Sequence, residues 1–236
     1  GTVTSVGGSA GIKSSPNPIT TSGTQTLDGT YAGAALQNCS LQASVTANTL
    51  TVALKDAAGA DPTTTSPCNI LYRNSTVNNG STILVQQTAA LSINTYAVGA
   101  TLGSTNGAPF RFWVVSFNND GTNVLALINC TTGASILPLN ETTTANSVGM
   151  SGTATSAGVF YTPNGTAVAA KSFRILGYVQ YSNGLTTAGS YDANPTSLRI
   201  ATPGMKRPGD TVQTVFAVNG TTLLVNNTTP TASSLA

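Results

Sequence analysis

The sequence of 236 residues contains no histidine. Histidine is the general base of Ser-His-Asp and Cys-His catalytic arrangements and the commonest side-chain ligand of transition metals. The three cysteines show no Cys-x-x-Cys spacing and are too few for a convincing zinc site. The composition therefore argues against common hydrolases and metal-dependent enzymes, and we expect no cofactor and no bound metal.

Charged side chains are also scarce. They make up 7% of the residues, against about 25% in ordinary soluble proteins. Nine basic and seven acidic residues give a net charge of +2 and are dispersed along the chain. The sequence therefore contains no cluster of basic residues that could neutralise the phosphates of a nucleic acid. Nucleic acid is therefore not an expected partner. Solubility must come from hydroxyl and amide side chains, which is typical of secreted, surface-layer and virion proteins.

Only seven carboxylates are available for acid–base chemistry. Glycoside cleavage needs two of them about 5–10 Å apart. Most of those present stand beside Gly, Ala, Pro or Asn, where an acidic residue is first of all a turn residue. We therefore expect that the protein is not an enzyme.

Cys39, Cys68 and Cys130 permit one internal disulfide at most. Each stands beside small or apolar residues, so we expect reduced, partly buried thiols, with a bridge between Cys39 and Cys68 as the alternative. The chain has no apolar run of about 18 residues and no signal-peptide pattern, so membrane insertion is not expected. Because it begins at Gly1 without Met, we expect a processed protein or part of a longer one.

From Gln37 onward, short apolar runs alternate with Gly- and Asn-rich turns, and no segment carries a helical period. This rhythm predicts an all-β fold, which we expect to be a jelly-roll-like β-sandwich. The predicted strands are Ser40–Val45, Thr49–Lys55, Cys68–Arg73, Ser81–Val85, Leu91–Asn94, Phe110–Phe117, Val124–Cys130, Gly158–Tyr161, Ser172–Tyr181, Leu198–Ala201 and Val212–Ala217.

Two of these strands, Phe110–Phe117 and Ser172–Tyr181, are apolar on both faces. Strict alternation keeps Ile175 and Tyr181 on one face of the second strand. A strand that is apolar on both sides must be covered on both sides. We therefore expect a sandwich whose outer face meets another subunit.

Two connections stand out. Residues 118–123 separate two apolar runs and contain Asp120-Gly121, a strong hairpin signal, although six residues predict a loose loop. The polar insertion Thr142–Thr155 is predicted to carry no strand and to lie at a tip or on a neighbouring subunit.

The first 36 residues are nearly free of charge and contain few apolar side chains. Burying those cannot offset a backbone entropy cost of about 1–2 kcal/mol per ordered residue. We therefore predict an extended N-terminal β arm over 1–36 that intertwines with other copies in a homotrimer. A β-sandwich domain over 37–218 and a polar tail over 219–236 follow. The predicted oligomerisation residues are Val3, Val6, Ile12, Ile19 and Leu27.

The opening stretch GTVTSVGGSAGIKSSPNPITTSGTQTLD resembles a segment that recurs in tail fibres and other virion fibre proteins of bacteriophages. Later stretches, including APFRFWVVSFNNDGTNVLALINC and KSFRILGYVQYSNGLTTAGSYDANPTSLRIATPGMKRPGDTVQTV, resemble a domain that follows this segment in such proteins. The resemblance spans nearly the whole chain. It implies chains that share one core and an arm that docks to a capsid or tail, and it brings no assigned binding residue.

A sugar-binding surface needs an aromatic platform beside amide and carboxylate groups on rigid loops. Two nearby turns combine these groups, namely residues 181–184 (YSNG) and residues 191–194 (YDAN). Tyrosines that cap a hydrophobic edge would give the same pattern. The oxygens of the 118–123 connection fall short of a Ca²⁺ site and are kept as receptor candidates. The candidates are Asn118, Asn119, Asp120, Tyr181, Asn183, Tyr191 and Asp192.

The leading hypothesis is a structural virion protein, a bacteriophage fibre or spike component that mediates attachment to the host cell. Its expected partners are further copies of itself, other virion proteins and a host surface glycan, and its expected location is the virion, after assembly in the bacterial cytoplasm. The alternatives are a capsid decoration or cement protein and a bacterial surface adhesin module.

Overall fold

Every regular element that the computed structural model describes is a β-strand, so the all-β prediction is confirmed. The described residues are 12–15, 24–27, 35–76, 80–96, 99–130, 141, 143–202, 205, 212–218 and 222–228. Within these ranges no helix is present, and so none is long and apolar enough to span a membrane.

The strands run in chain order as follows: β1 Ile12–Ser15, β2 Thr24–Leu27, β3 Leu36–Gln37, β4 Ser40–Thr46, β5 Thr49–Lys55, β6 Cys68–Arg73, β7 Thr82–Gln87, β8 Leu91–Asn94, β9 Phe110–Asn119, β10 Thr122–Asn129, β11 Thr144–Ala145, β12 Ser147–Gly149, β13 Phe160–Thr162, β14 Lys171–Tyr181, β15 Ser197–Ile200, β16 Val212–Val218 and β17 Thr222–Thr228. β5, β6 and β8 have the predicted bounds, and the other predicted strands are displaced by one or two residues at their ends.

The largest sheet has seven strands, in the order β11-β14-β9-β10-β13-β12, and β15 also pairs with β14. β11 and β12 stand at its two edges, yet only Asn146 separates them in the chain. One short segment therefore pairs with β14 on one side and with β13 on the other. The sheet consequently almost closes on itself, like a barrel.

Two smaller sheets, β4-β5-β8 and β3-β6-β7, pack against one face of β9, β10 and β14. The buried apolar residues between these layers form the main core, which includes Leu54, Ile70, Tyr72, Phe112 and Leu127. The opposite face of the same three strands contributes to the barrel core, whose residues are Trp113, Val115, Phe117, Ala126, Ile128, Cys130, Phe160, Val168, Phe173 and Ile175.

Both faces of β9 are thus covered by this single chain. Phe112 and Val114 are buried in the main core, and Trp113 and Val115 are buried in the barrel core. The expectation that a second subunit covers the outer face of this strand is therefore wrong. The closing of the large sheet provides that cover, because it turns the outer face of β9 into an interior.

β14 departs from strict alternation. Ile175 pairs with Val115 and Gly177 pairs with Val114, so Leu176 is an extra residue, a β-bulge. Phe173 and Ile175 therefore face the barrel core, whereas Tyr181 faces the main core. The prediction that Ile175 and Tyr181 share a face is wrong, because the bulge reverses the alternation between them.

The 118–123 connection is a tight hairpin and not the loose loop that six residues predicted. Thr122 pairs with Asn119, so Asp120 and Gly121 alone form the turn. Their φ angles are 52° and 89°, and positive values at both positions define a type I′ turn, which matches the twist of the flanking strands. The strands therefore extend to the turn itself.

The polar insertion over 142–155 contains β11 and β12, so the prediction of no strand there is wrong. These short polar residues adopt strand conformation because they pair with the edges of β14 and β13. Buried Ser147 shows how the segment is held: its Oγ lies 3.1 Å from Thr162 Oγ1, and it accepts a hydrogen bond from the Val168 amide at 2.9 Å.

Within the predicted N-terminal β arm, β1 and β2 pair antiparallel in the same chain, with Ile12 opposite Leu27, so these residues fold back on each other. The intertwining of the arm with other copies stays a prediction. Val3, Val6 and Ile19 lie outside the described residues. At the other end, β16 pairs with β17 across the predicted boundary at residue 218.

Candidate functional site

The residues predicted as receptor contacts fall at two separate places. Asn118, Asn119 and Asp120 lie at the hairpin that ends β9, whereas Tyr181 pairs with Phe110 at the start of the same strand. Nine residues of extended chain span about 30 Å. The structure therefore does not bring the two groups together in one site.

The hairpin residues support their own turn. Asn118 is buried, and its Oδ1 accepts a hydrogen bond from the Gly121 amide at 2.8 Å. Asp120 is exposed, and its Oδ1 lies 2.6 Å from the Lys171 ammonium. In the part of the chain that the structure describes, no group of three or more His, Cys, Asp or Glu side chains is placed to hold a metal ion.

The two tyrosines that were expected to offer a stacking platform are core residues. Tyr181 is 2% exposed and Tyr191 is completely buried. Their hydroxyls donate to the carbonyls of Ala193, at 3.0 Å, and Ala100, at 2.8 Å. Tyr181 also stacks on Phe110 with ring centroids 4.8 Å apart. Neither ring face is open to a ligand, so the platform interpretation does not hold.

Burial also fixes the charge state of these tyrosines. It raises the pKa of Tyr191 and of Tyr181 well above the ordinary value, and the Asp192 carboxylate adds to the effect on Tyr181. Both phenols therefore remain neutral hydrogen-bond donors. Asn183 and Asp192 are exposed beside them, and their part in receptor binding stays a prediction.

An open polar groove lies elsewhere, between the edge strand β8 and the turn that follows β13. It has a volume of about 500 Å³, which is within the range of ligand sites. We call it the β8 groove. It is lined by Thr49, Ser92, Asn94, Thr95, Tyr96, Pro163 and Asn164.

The alternation of β8 places these side chains. Leu91 and Ile93 pack in or against the main core, whereas Ser92 and Asn94 point outward and are exposed. Immediately after the strand, buried Thr95 accepts a hydrogen bond from the Leu50 amide at 2.9 Å. This bond ties the end of β8 to β5 and so fixes the start of the segment that carries the groove aromatic.

The other wall of the groove is equally well positioned. The amide of Thr166 donates to the carbonyl of Pro163 at 3.0 Å and closes the turn that contains Asn164. On the strand side, Asn94 is opposite Thr51, which is opposite Ser44. A row of uncharged polar side chains thus leads from the groove across the outer face of the sheet.

Four groove side chains make no hydrogen bond with the described protein, namely Ser92, Asn94, Tyr96 and Asn164. They offer two hydroxyls and two amides, which can both donate and accept. None of the described residues that line the groove is charged. Such a surface suits an uncharged ligand rich in hydroxyl groups, and it lacks the cations that an anionic ligand requires.

A second cavity, of about 450 Å³, lies beside the segment that closes the barrel. Its lining includes Val148, Phe160 and Phe173, and it is more apolar than the β8 groove. Val148 remains 53% exposed. Two of its polar lining residues, Asn146 and Ser147, already accept hydrogen bonds from the Ala170 and Val168 amides, so the β8 groove is the stronger candidate site.

Sequence analysis missed the β8 groove, although a signal was present. The run Leu91-Ser-Ile-Asn94 alternates apolar and polar residues, and Thr95-Tyr96 follows it directly. That pattern predicts an exposed amide and hydroxyl beside an aromatic residue. The opposing turn at Pro163-Asn164 is distant in sequence, and only the fold brings it to the groove.

Comparisons of the chain with known protein families, with curated proteins and with solved structures found no match.

Proposed function

We propose that this chain is a non-enzymatic structural protein of a bacteriophage virion, a fibre or spike component that attaches the particle to the host surface by binding a neutral polysaccharide in the β8 groove. The observation that carries the proposal is the set of four hydroxyl and amide side chains, on a strand edge and a turn, that make no hydrogen bond with the described residues. Attachment is adhesion, and it requires no catalytic group.

Saccharide chemistry fits the lining. A sugar ring presents hydroxyls around its edge and a weakly apolar C–H face, so it needs amide and hydroxyl partners beside an aromatic ring. Asn94, Asn164 and Ser92 supply the polar partners, and half-buried Tyr96 supplies the ring. Because the groove is open and polar residues continue over the sheet, a polymer can lie along it.

The composition and the N-terminal resemblance support the virion part of the proposal. Few charges and many hydroxyl side chains are typical of particle surfaces, and the opening residues resemble the segment found in bacteriophage fibre proteins. We further propose that the layers around the main core form a sandwich-like body and that three chains assemble. Three weak sites on one particle raise its avidity by orders of magnitude over a single site.

Binding to a panel of bacterial surface polysaccharides, both neutral and acidic, tests the attachment role. The fluorescently labelled chain should be retained on a neutral polymer, be displaced by oligosaccharides from that polymer, and be insensitive to salt, because no counterions are released. Binding restricted to acidic polymers, or absent throughout, would contradict the proposal. A trimer that binds none of the polymers would instead favour a capsid decoration protein.

Sedimentation equilibrium tests the assembly separately. The full chain should sediment with three times the mass of one copy. The variant Ile12→Asp with Leu27→Asp should sediment as a monomer, because charges oppose burial of the predicted arm contacts. A monomeric parent chain would exclude the trimer.

A further inference from the structure

Two cysteines meet where the chain enters the main body of the protein. Gln37 of β3 pairs with Asn69 of β6, which places Cys39 and Cys68 on adjoining segments. Between Gln37 and Cys39, Asn38 has a φ angle of 52°, so the chain bends sharply just before Cys39.

The contacts of the two sulfurs overlap. Cys68 Sγ donates to the Asn38 carbonyl at 3.2 Å, and that carbonyl belongs to the peptide group preceding Cys39. Cys39 Sγ lies 3.6 Å from the carbonyl of Asn69, the residue after Cys68. Each sulfur therefore lies beside the backbone next to the other cysteine.

The two thiols differ in reactivity. Cys39 is half-buried, and the neighbouring Cys68 thiol lowers its pKa. Cys68 is completely buried, and the neighbouring Cys39 thiol together with burial raises its pKa. A thiolate is the attacking species in disulfide exchange, so Cys39 is suited to react first with a reagent from solvent, and Cys68 to react afterwards.

We propose that Cys39 and Cys68 are an oxidation site, a dithiol that forms an intrachain disulfide on reaction with a low-molecular-weight disulfide such as oxidised glutathione. The thiolate of Cys39 attacks one sulfur of the reagent, breaks its S–S bond and releases one glutathione thiolate. Cys68 then loses its proton to solvent and attacks the Cys39 sulfur, releasing the second glutathione. The two protein thiols are oxidised by two electrons, and the reagent is reduced to two thiols.

The disulfide would join the connection between β3 and β4 to the start of β6. It would close a loop of roughly 30 residues, which contains β4 and β5, and so restrict the unfolded chain. The main body should therefore resist unfolding better after oxidation. The effect is independent of any ligand in the β8 groove.

The test uses the full chain, first reduced and then incubated with oxidised glutathione. Intact mass should fall by two hydrogen atoms, and a non-reducing peptide map should recover the peptides of Cys39 and Cys68 as one species. The apparent Tm should rise by on the order of 10 °C and return when the bond is reduced.

Cysteine variants separate the two roles. Cys68→Ala should stop at a mixed disulfide of Cys39 with glutathione, whereas Cys39→Ser should gain little glutathione, because buried Cys68 is inaccessible. Cys130 lies in the barrel core, so Cys130→Ser should form the bond at the parent rate. A parent chain that accumulates only mixed disulfide, or that links Cys130, would overturn the proposal, and the peptide map of the parent decides this even if a variant fails to fold.

Discussion

Three tyrosines of this molecule lie in two contrasting environments, the main core and the β8 groove. Tyr181 and Tyr191 carry the sequence pattern of a sugar-binding turn, yet both rings are buried and both hydroxyls are bonded to backbone carbonyls. Tyr96 directly follows β8 and lines an open groove, and its hydroxyl makes no hydrogen bond to the part of the chain that the structure describes. A polar side chain is available for recognition only when the fold leaves its hydrogen bonds unused. Residue type and a nearby turn do not establish that.

The largest difference between the two regions should appear when the rings are removed. Tyr191→Ala takes a fully buried ring out of the main core and should lower the free energy of unfolding by about 3–5 kcal/mol. Tyr96→Ala, at the half-buried groove position, should lower it by less than about 1 kcal/mol. Urea denaturation measures both, and equal losses would contradict the contrast.

The second-largest effect should be a fall in the free energy of unfolding at alkaline pH, which acts through the buried tyrosines. Burial raises the pKa of Tyr72, Tyr181 and Tyr191 in the folded protein. Unfolded tyrosines release their protons near pH 10, whereas the folded protein retains them, so the stabilisation is complete below about pH 10 and is lost above it. Each group should contribute a slope of about 1.4 kcal/mol per pH unit.

Urea unfolding at a series of alkaline pH values measures this slope, and Tyr191→Phe serves as the control. The variant lacks one ionisable phenol and should lose stability less steeply than the parent as the pH rises. A midpoint that stays constant above pH 10 would show that the rings are more accessible than their burial indicates.

Asn129 combines one feature of each region. Its side chain is buried, as in the core tyrosines, and makes no hydrogen bond to the described residues, as in the groove tyrosine. Asn129 is completely buried, and neither atom of its side-chain amide has a hydrogen-bond partner among the described residues. Asn129→Leu should raise the free energy of unfolding by about 1–3 kcal/mol, since it removes an uncompensated desolvation cost. Thermal unfolding measures the change, and a destabilised variant would indicate that the amide is satisfied, for example by a buried water.

The smallest effect is expected at the hairpin. Asp120→Ala removes the ion pair with Lys171, in which the Asp120 side chain is 81% exposed. A pair this exposed contributes about 0–1 kcal/mol. The turn itself depends on Asn118 and Gly121 and should remain. Amide exchange at Gly121 reports on it, and faster exchange in the variant would mean that Asp120 is structural.

Much of the fold could be predicted from the sequence, because strand alternation is a local signal. Thr49–Lys55 and Leu91–Asn94 show this, since each alternates cleanly and was predicted with its observed bounds. The barrel closure could not be predicted. The closing segment is short and polar, so its pairing depends on the edges of β13 and β14 and on no preference of its own. The bulge at Leu176 is likewise a property of the strand pair.

The candidate site was less predictable than the fold. Its strand half was visible in the outward Ser92 and Asn94, but the opposite wall, at Asn164, is about 70 residues away in sequence. The sequence pattern favours Tyr181 and Tyr191 instead, because a sequence does not reveal whether a hydroxyl is already bonded. Sequence alone gave the kind of side chain, and only tertiary packing decided which side chains remain free.

Two matched double variants, assayed for binding to a neutral bacterial polysaccharide that retains the parent chain, test the central claim most directly. Asn94→Ala with Tyr96→Ala removes groove contacts, and Asn183→Ala with Asp192→Ala alters the exposed residues beside the buried tyrosines. Our account predicts that the first pair abolishes retention, lowering affinity at least tenfold with little change in stability, while the second pair binds like the parent. Loss of binding in the second pair and not in the first would contradict it.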